Sequence, residues 1–298
     1  MYSQIRTSML DGICAMPVQV EVDISMGMPV FDMVGYLSPE VREAKERVRT
    51  ALHNCGILLP AKRITVNLSP ANIRKTGTGF DLPIAVALLV AMGLVKPEKC
   101  VDTIFSGELN LSGQLLPVRG VLPMVSDGVK EGIHKFVVPA DNLMESRLVQ
   151  GADVCGFPAL ESVIGYLQDG GYKEPAYAGR RQNRSHGVPD FSEVNGQQFL
   201  KRAAEIAASG MHNMLMVGPP GAGKTMIPER MATILPPLTK KEQLEVSKIY
   251  SVCGLLADSR TLLQERPFRS PHHTVSMAGL AGGGRSIRPG EILSLIHI

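Results

Sequence analysis

The string Gly218-Pro219-Pro220-Gly221-Ala222-Gly223-Lys224-Thr225 satisfies the pattern G-x-x-x-x-G-K-[ST] at every constrained position. It limits the possible folds because it has a chemical meaning only between a strand and a helix. The apolar run at 214–217 predicts a short strand that ends at Gly218, and the residues after Thr225 continue as a predicted helix. In such a turn the glycines let backbone N–H groups converge on β- and γ-phosphate oxygens at a helix N-terminus, where unpaired donors and the helix dipole both favour anions. Lys224 is placed to neutralise the terminal phosphates and the Thr225 hydroxyl to coordinate Mg²⁺, so ATP with Mg²⁺ is the expected ligand of residues 218–225. The competing reading is a glycine-rich turn with a chance lysine, and the strand before it counts against that. Pro228, four residues after Lys224, lies near the limit of the first turn, which predicts a shortened or kinked helix.

With 298 residues the chain is about twice the ~150 of a typical domain, so two domains are expected. Hydrophobic residues make up 44% and charged residues 20%, which excludes a disordered or fibrous chain and predicts a buried core. Lys and Arg number 31 against 28 Asp and Glu, and the net charge of +3 does not by itself point to nucleic acid or membrane. The five cysteines, Cys14, Cys55, Cys100, Cys155 and Cys253, form no C-x-x-C pair, so neither a zinc site nor a disulfide framework is expected and a cytoplasmic location fits. The longest apolar run, 82–95, contains Pro83 and Gly93 and is too short to span a membrane.

Alternating Val18, Val20, Val22 and Ile24 predict a half-buried strand that opens the fold. Ser38-Pro39 marks a helix start, and Val41, Ala44, Val48, Ala51, Leu52 and Cys55 recur at helical spacing up to Gly56. Further strands are expected at 64–68, 103–108 and 135–138, with helices near 81–92 and 121–131. Residues 1–168 read as one α/β domain. From Gly170-Gly171 to Pro189 large aliphatic side chains almost vanish, so 169–188 reads as a linker, and 189–298 as part of a second α/β domain in which Phe199, Leu200, Ala203, Ile206 and Ala207 trace a helix.

Upstream of the loop, Asp190-Phe191-Ser192-Glu193-Val194-Asn195-Gly196-Gln197 resembles the D-F-x-x-V-x-G-Q string of AAA+ ATPases, whose backbone borders the adenine in that family. Downstream, Ile234-Leu235-Pro236-Pro237-Leu238, Ser247-Lys248-Ile249-Tyr250-Ser251 and Arg266-Pro267-Phe268-Arg269-Ser270-Pro271-His272-His273-Thr274 resemble magnesium-chelatase-like AAA+ proteins of the ComM/YifB group. That resemblance implies a Lon-protease-like α/β domain followed by an incomplete AAA+ phosphate-loop domain. It also implies a hexameric homo-oligomeric ring driven by ATP, acting on DNA in branch migration, recombination and natural transformation. Two other readings stay open: a chelatase-type ATPase that remodels a protein partner for metal insertion, and an ATP-dependent protease. The chelatase subunit generally lacks a Lon-like domain.

Gly107-Glu108-Leu109-Asn110-Leu111-Ser112-Gly113, Leu116-Pro117-Val118 and Val137-Val138-Pro139-Ala140-Asp141-Asn142 resemble Lon's strand and turn pattern. Lon places its nucleophilic serine in K-D-G-P-S-A-G, where this chain reads Lys75-Thr76-Gly77-Thr78-Gly79-Phe80-Asp81 and puts Gly79 at the serine position. The position matching Lon's catalytic lysine, after Arg119-Gly120-Val121, is Leu122. Without a hydroxyl there is no nucleophile to activate, so a non-proteolytic module is expected.

An AAA+ ATPase also needs an acidic pair, a sensor residue and an arginine finger, and none can be placed in this sequence. In the family, Pro289-Gly290-Glu291-Ile292 leads to the acidic strand, but here Leu293-Ser294-Leu295-Ile296-His297-Ile298 follows. Those six residues are what CTG-TCT-CTT-ATA-CAC-ATC would encode, which is similar to a transposase adapter, so a fragment with an artefactual tail and no hydrolytic activity is expected. Arg260, Arg266, Arg269, Arg285 and Arg288, with Gly282-Gly283-Gly284, outline a basic loop that either touches DNA phosphates or braces the nucleotide domain. Solvation is the expected role of the linker arginines Arg180, Arg181 and Arg184, and a hydrogen-bonding role is expected of His272-His273. Thr239 and Glu242 form an expected capping box.

Overall fold

The computed structural model describes residues 1–173, 190–256, 260–283 and 289–293. Two long strands, β1 (Tyr2–Asp11) and β2 (Cys14–Ser25), form an antiparallel hairpin that starts the first unit. Gly12, at φ +62°, takes the first central position of its two-residue turn, a conformation that favours glycine. β3 (Val30–Val34), β4 (Arg63–Ser69), β5 (Thr103–Phe105), β8 (Lys135–Pro139) and β9 (Asp153–Phe157) complete a seven-stranded sheet in the order β3-β4-β2-β1-β5-β8-β9. β2 pairs antiparallel with β1 and β4, and every other pair is parallel. A small separate ladder joins β6 (Glu108–Leu109) to β7 (Leu115–Leu116). The helices of this unit are α1 (Pro39–Arg42), α2 (Ala44–Asn54), α3 (Asp81–Ala91), α4 (Val121–Lys130), α5 (Leu143–Ser146) and α6 (Leu160–Asp169).

The alternation in β2 buries Val18, Val20, Val22 and Ile24, and Ile64, Val66 and Leu68 do the same from β4. All eleven residues of α3 are buried, so the longest apolar run of the sequence is a core helix. Among the described residues no helix is long and apolar enough to cross a membrane. The N-terminus of α3 carries Asp81, a fully buried carboxylate held by Arg47 of α2 through Nε–Oδ2 and Nη2–Oδ1 contacts of 2.6 and 2.8 Å. The Leu109 amide donates to Asp81 Oδ2 at 3.1 Å, and Arg47 Nη2 donates to the Glu40 carbonyl at 3.1 Å.

Several expectations need correction. β1 precedes the strand expected to open the fold. The inward face of β1 is Ser3, Ile5, Thr7 and Met9, so half of it is polar, with Ser3 Oγ donating to the Ala87 carbonyl and Thr7 Oγ1 to that of Phe105, each at 2.7 Å. The helix from Ser38 is two pieces that meet at Glu43, where φ −69° and ψ −18° give a tighter turn. The single strand expected over 103–108 breaks after Phe105, because the Gly107 amide and carbonyl leave the sheet to bond Gly79 O and Leu82 N, both at 3.0 Å.

The chain divides into two compact units, Met1–Gly179 and Arg180–Ile298. Residues 174–189, most of the expected linker including Arg180, Arg181 and Arg184, lie outside the described residues. The second unit contains a 3-10 turn (Phe191–Glu193), α7 (Gln198–Gly210), α8 (Met226–Ile234), α9 (Lys240–Cys253) and α10 (Met277–Ala281). The helix expected near Phe199 forms, but Phe199 is 90% exposed and Ala204, Ala207 and Ala208 face inward. The strand expected at 214–217 does not form among the described residues; Met216 packs inward, while Leu215 and Val217 are each 89% exposed. Among the described residues the second unit contains no named strand to complete a ladder with it, and an extended segment gains its backbone bonds from a paired strand.

Arg47→Ala leaves the Asp81 carboxylate buried without its counter-ion, which should cost about 3–5 kcal/mol. Burial already holds the Asp81 carboxyl above the ordinary carboxylate range, with Arg47 pulling it back down. For a raised folded-state pKa the penalty grows as pH rises through that value and vanishes below the unfolded one. Calorimetric melts of variant and unsubstituted chain should therefore differ most near neutral pH and converge towards about pH 4.

Candidate nucleotide-binding site

Residues 218–225 form an exposed loop leading directly into α8, with Thr225 at the N-cap. Gly221 and Gly223 adopt φ +81° and +80°, and a Cβ on either would meet nothing within 4 Å. These two positions are therefore glycines because of backbone conformation, and the space above them is open. The amide N–H groups of Gly223, Lys224 and Thr225 have no acceptor among the described residues, while Ile227 N already closes on Gly223 O at 3.1 Å. Free donors at the start of a helix, with open space before them, suit an anion. Lys224 folds over the loop, its Nζ donating to the carbonyls of Gly218 and Pro219 at 2.6 Å each. Pro228 falls in the first turn of α8, where a missing N–H costs nothing, and the helix continues to Ile234.

The segment read as an adenine border packs on this helix. Val194 and Ile227 share a small core with Ala204, against which Phe191, Leu200, Met216, Met226, Met231 and Ile234 pack. Asp190 accepts from Ser192 N at 2.7 Å, which starts the 3-10 turn, and Glu193 at its end accepts from Arg230 of α8. The link between Glu193 and Arg230 has no local signature in the sequence.

Some of the weaker signals have structural partners among the described residues. Thr239 and Glu242 form the expected capping box, with Thr239 N donating to Glu242 Oε2 at 2.7 Å. Arg266 and Arg269 face Glu242 at 3.6 Å and Glu291 at 2.5 Å, a bracing role within the unit. Arg285 and Arg288 lie outside the described residues, as do Gly284 and residues 294–298 of the expected tail. His272 Nδ1 lies 2.8 Å from Thr274 Oγ1.

In the first unit, a Cβ at Gly79 would lie 2.8 Å from Ser106 Oγ, so a side chain there would require Ser106 to move. The Leu122 side chain is buried, and its amide donates to the buried Glu145 carboxylate at 3.3 Å. Asn142 pins Val118 through both its N–H and its carbonyl, at 2.9 Å each. Lys75 is fully buried, with Nζ donating to the carbonyls of Pro70 and Ile73, and burial pushes its ammonium below the usual lysine range.

Family models described as "Magnesium chelatase, subunit ChlI" and "Subunit ChlI of Mg-chelatase" match residues 190–297 and 20–142. YifB of Escherichia coli, an uncharacterised protein, is 40% identical over 300 residues, covering 99% of this chain and 58% of YifB. Competence protein ComM of Haemophilus influenzae is 39% identical over 298 residues, covering 96% of this chain and 56% of ComM. The chain belongs to the magnesium-chelatase-like ComM/YifB group. It spans a little over half the length of these relatives. Across this ComM/YifB chain a fainter similarity runs to the peroxisomal Lon protease homolog 2 of Caenorhabditis elegans, 27% identical over 169 residues, 53% of this chain and 21% of that protein. A mixed α/β fold with a mostly parallel sheet agrees with both relationships.

Because the space at Gly223 is open, alanine there should fail through the backbone alone. Gly223→Ala should cost the loop about 1–2 kcal/mol, the penalty of a left-handed L-residue. The expected readout is faster hydrogen exchange in the first turn of α8.

Proposed function

We propose that residues 218–225 bind the phosphates of ATP with Mg²⁺, and that the intact protein is an AAA+ ATPase whose hexameric ring remodels DNA in recombination and natural transformation. The observation that carries the nucleotide assignment is the set of free amides at Gly223, Lys224 and Thr225 beside open space created by Gly221 and Gly223. Membership of the magnesium-chelatase-like group supports an ATPase of this kind. Gly218, Pro219, Pro220 and Ala222 supply the turn, Lys224 would hold the terminal phosphates, and the Thr225 hydroxyl would hold the metal. Mg²⁺ supplies charge neutralisation between the phosphate oxygens. The DNA substrate rests on kinship with a competence protein. Residues 1–168 act in this reading as a non-proteolytic module, 169–188 as a linker, and 189–298 as the N-terminal part of the ATPase domain.

Lys224→Ala removes the side-chain cation aimed at the terminal phosphates, an interaction of about 1.5–3 kcal/mol. Calorimetric titration with ADP or ATP in Mg²⁺ should show roughly 10- to 100-fold weaker binding, and equal affinity would refute the assignment. DNA as the substrate is tested by ATP-dependent binding of a fluorescent branched duplex to the full-length protein at fixed salt.

The unsubstituted chain should leave casein intact, and so should Gly79→Ser, because Ser106 occupies the space and Leu122 offers no base. Casein cleavage by either protein would restore the protease reading.

A further inference from the structure

We propose that Glu193 and Arg230 form a clamp that fixes the backbone at Val194 on α8, and thereby sets the base side of the nucleotide pocket relative to the phosphate loop. The inference rests on the nucleotide reading above and adds two positioning residues to it. Arg230 directs Nε and Nη2 at one oxygen, Glu193 Oε2, at 3.2 and 2.6 Å. Its third nitrogen, Nη1, donates to the Met226 carbonyl one turn back in α8, at 3.2 Å. The guanidinium is therefore held by its own helix while it grips the turn, and its side chain is only 14% exposed.

The other end of the clamp is equally constrained. Glu193 N bonds Asp190 O at 3.1 Å and Val194 N bonds Phe191 O at 3.3 Å, so the Glu193 side chain and the Val194 backbone move together. Arg230 holds the Glu193 carboxyl below the usual carboxylate range, which keeps the pair charged near neutral pH. Val194 and Ile227 are both buried in the same cluster, but apolar contact is non-directional and permits sliding along the helix. The forked charge-assisted contact supplies the missing direction. Glu193 is half exposed, so the pair adds little to global stability and its effect is geometric. When Glu193 is removed, Arg230 has Glu229 at 3.8 Å as an alternative partner on its own helix, and the link to the turn is lost.

The consequence is selective. A ligand that uses only the phosphate loop does not sense the position of Val194, whereas one with a base does. The test is titration calorimetry of Mg²⁺-ADP and Mg²⁺-tripolyphosphate into the chain, Glu193→Gln, Arg230→Gln and the exchanged pair Glu193→Arg with Arg230→Glu. Tripolyphosphate affinity should stay within about 1.5-fold throughout, while ADP binds roughly 3- to 5-fold more weakly to each single variant, the upper end of the loss expected for one exposed ion pair. The exchanged pair should recover most of the ADP affinity. Unchanged ADP binding by both single variants would overturn the clamp. A parallel fall for both ligands would overturn it too, because that is the signature of general loosening. Failure of the unsubstituted chain to bind either ligand would instead overturn the phosphate-loop reading, and the clamp with it.

Discussion

Burying α3 on every side leaves its N-terminus inside the protein, and the contact between Arg47 and Asp81 makes that possible. A helix start presents N–H groups without partners and a positive dipole end, so an acidic residue belongs there, but a carboxylate cannot enter the core without a counter-charge. Arg47 provides it with two parallel contacts. Arg47 Nη2 also donates to the Glu40 carbonyl, and Asp81 Oδ2 also accepts from the Leu109 amide. One ion pair thus joins α1, α2, α3 and β6. Glu108, next to Leu109, accepts in turn from Thr78 Oγ1, which ties down the loop running from Lys75 to Gly79.

The parts of this arrangement that were legible in the sequence are those in which one residue class repeats at the period of one element. β2, β4, β8, α3 and α4 carry such repeats. β1 does not, because Ser3 and Thr7 point inward and satisfy their hydroxyls on carbonyls of α3 and of the strand β5, so its polarity pattern is broken by tertiary partners far along the chain. β3 and β9, the two edges of the sheet, are five residues each, too short for an alternation to stand out. The segment at 214–217 shows the opposite failure: its apolar run is clear, but a run makes a strand only beside another.

Site residues divide in the same way. The eight positions proposed to bind phosphate form a local pattern, a consecutive set of amides, two left-handed glycines and a lysine at one helix start, and so could be read from the sequence as a proposal. Glu193 and Arg230 are 37 positions apart, and neither residue type is unusual on an exposed turn or helix. Only the packing of Val194 on Ile227 brings them within reach of each other. The same holds for Glu145 of α5, which accepts from the backbone amide of Leu122 at the start of α4, a contact that leaves no trace in side-chain pattern.

Glycine serves opposite physical ends in the two units, and the contrast separates a closed site from an open one. At Gly79 the missing Cβ is replaced by a neighbour, since Ser106 Oγ stands within 2.8 Å of where it would be. Val118, the other neighbour of that position, is bonded by Asn142 through both its N–H and its carbonyl, so its backbone is satisfied internally. Adding a ligand there would mean breaking bonds that folding has made. At Gly221 and Gly223 the missing Cβ is replaced by nothing, and among the described residues Lys224 is engaged by two carbonyls of its own loop. An anion with several oxygens can satisfy the amides of Gly223, Lys224 and Thr225 at once and draw the ammonium across with it, so binding gains hydrogen bonds without first losing a packed arrangement. The binding proposed for residues 218–225 therefore follows where the folded state leaves donors unpaired among the described residues.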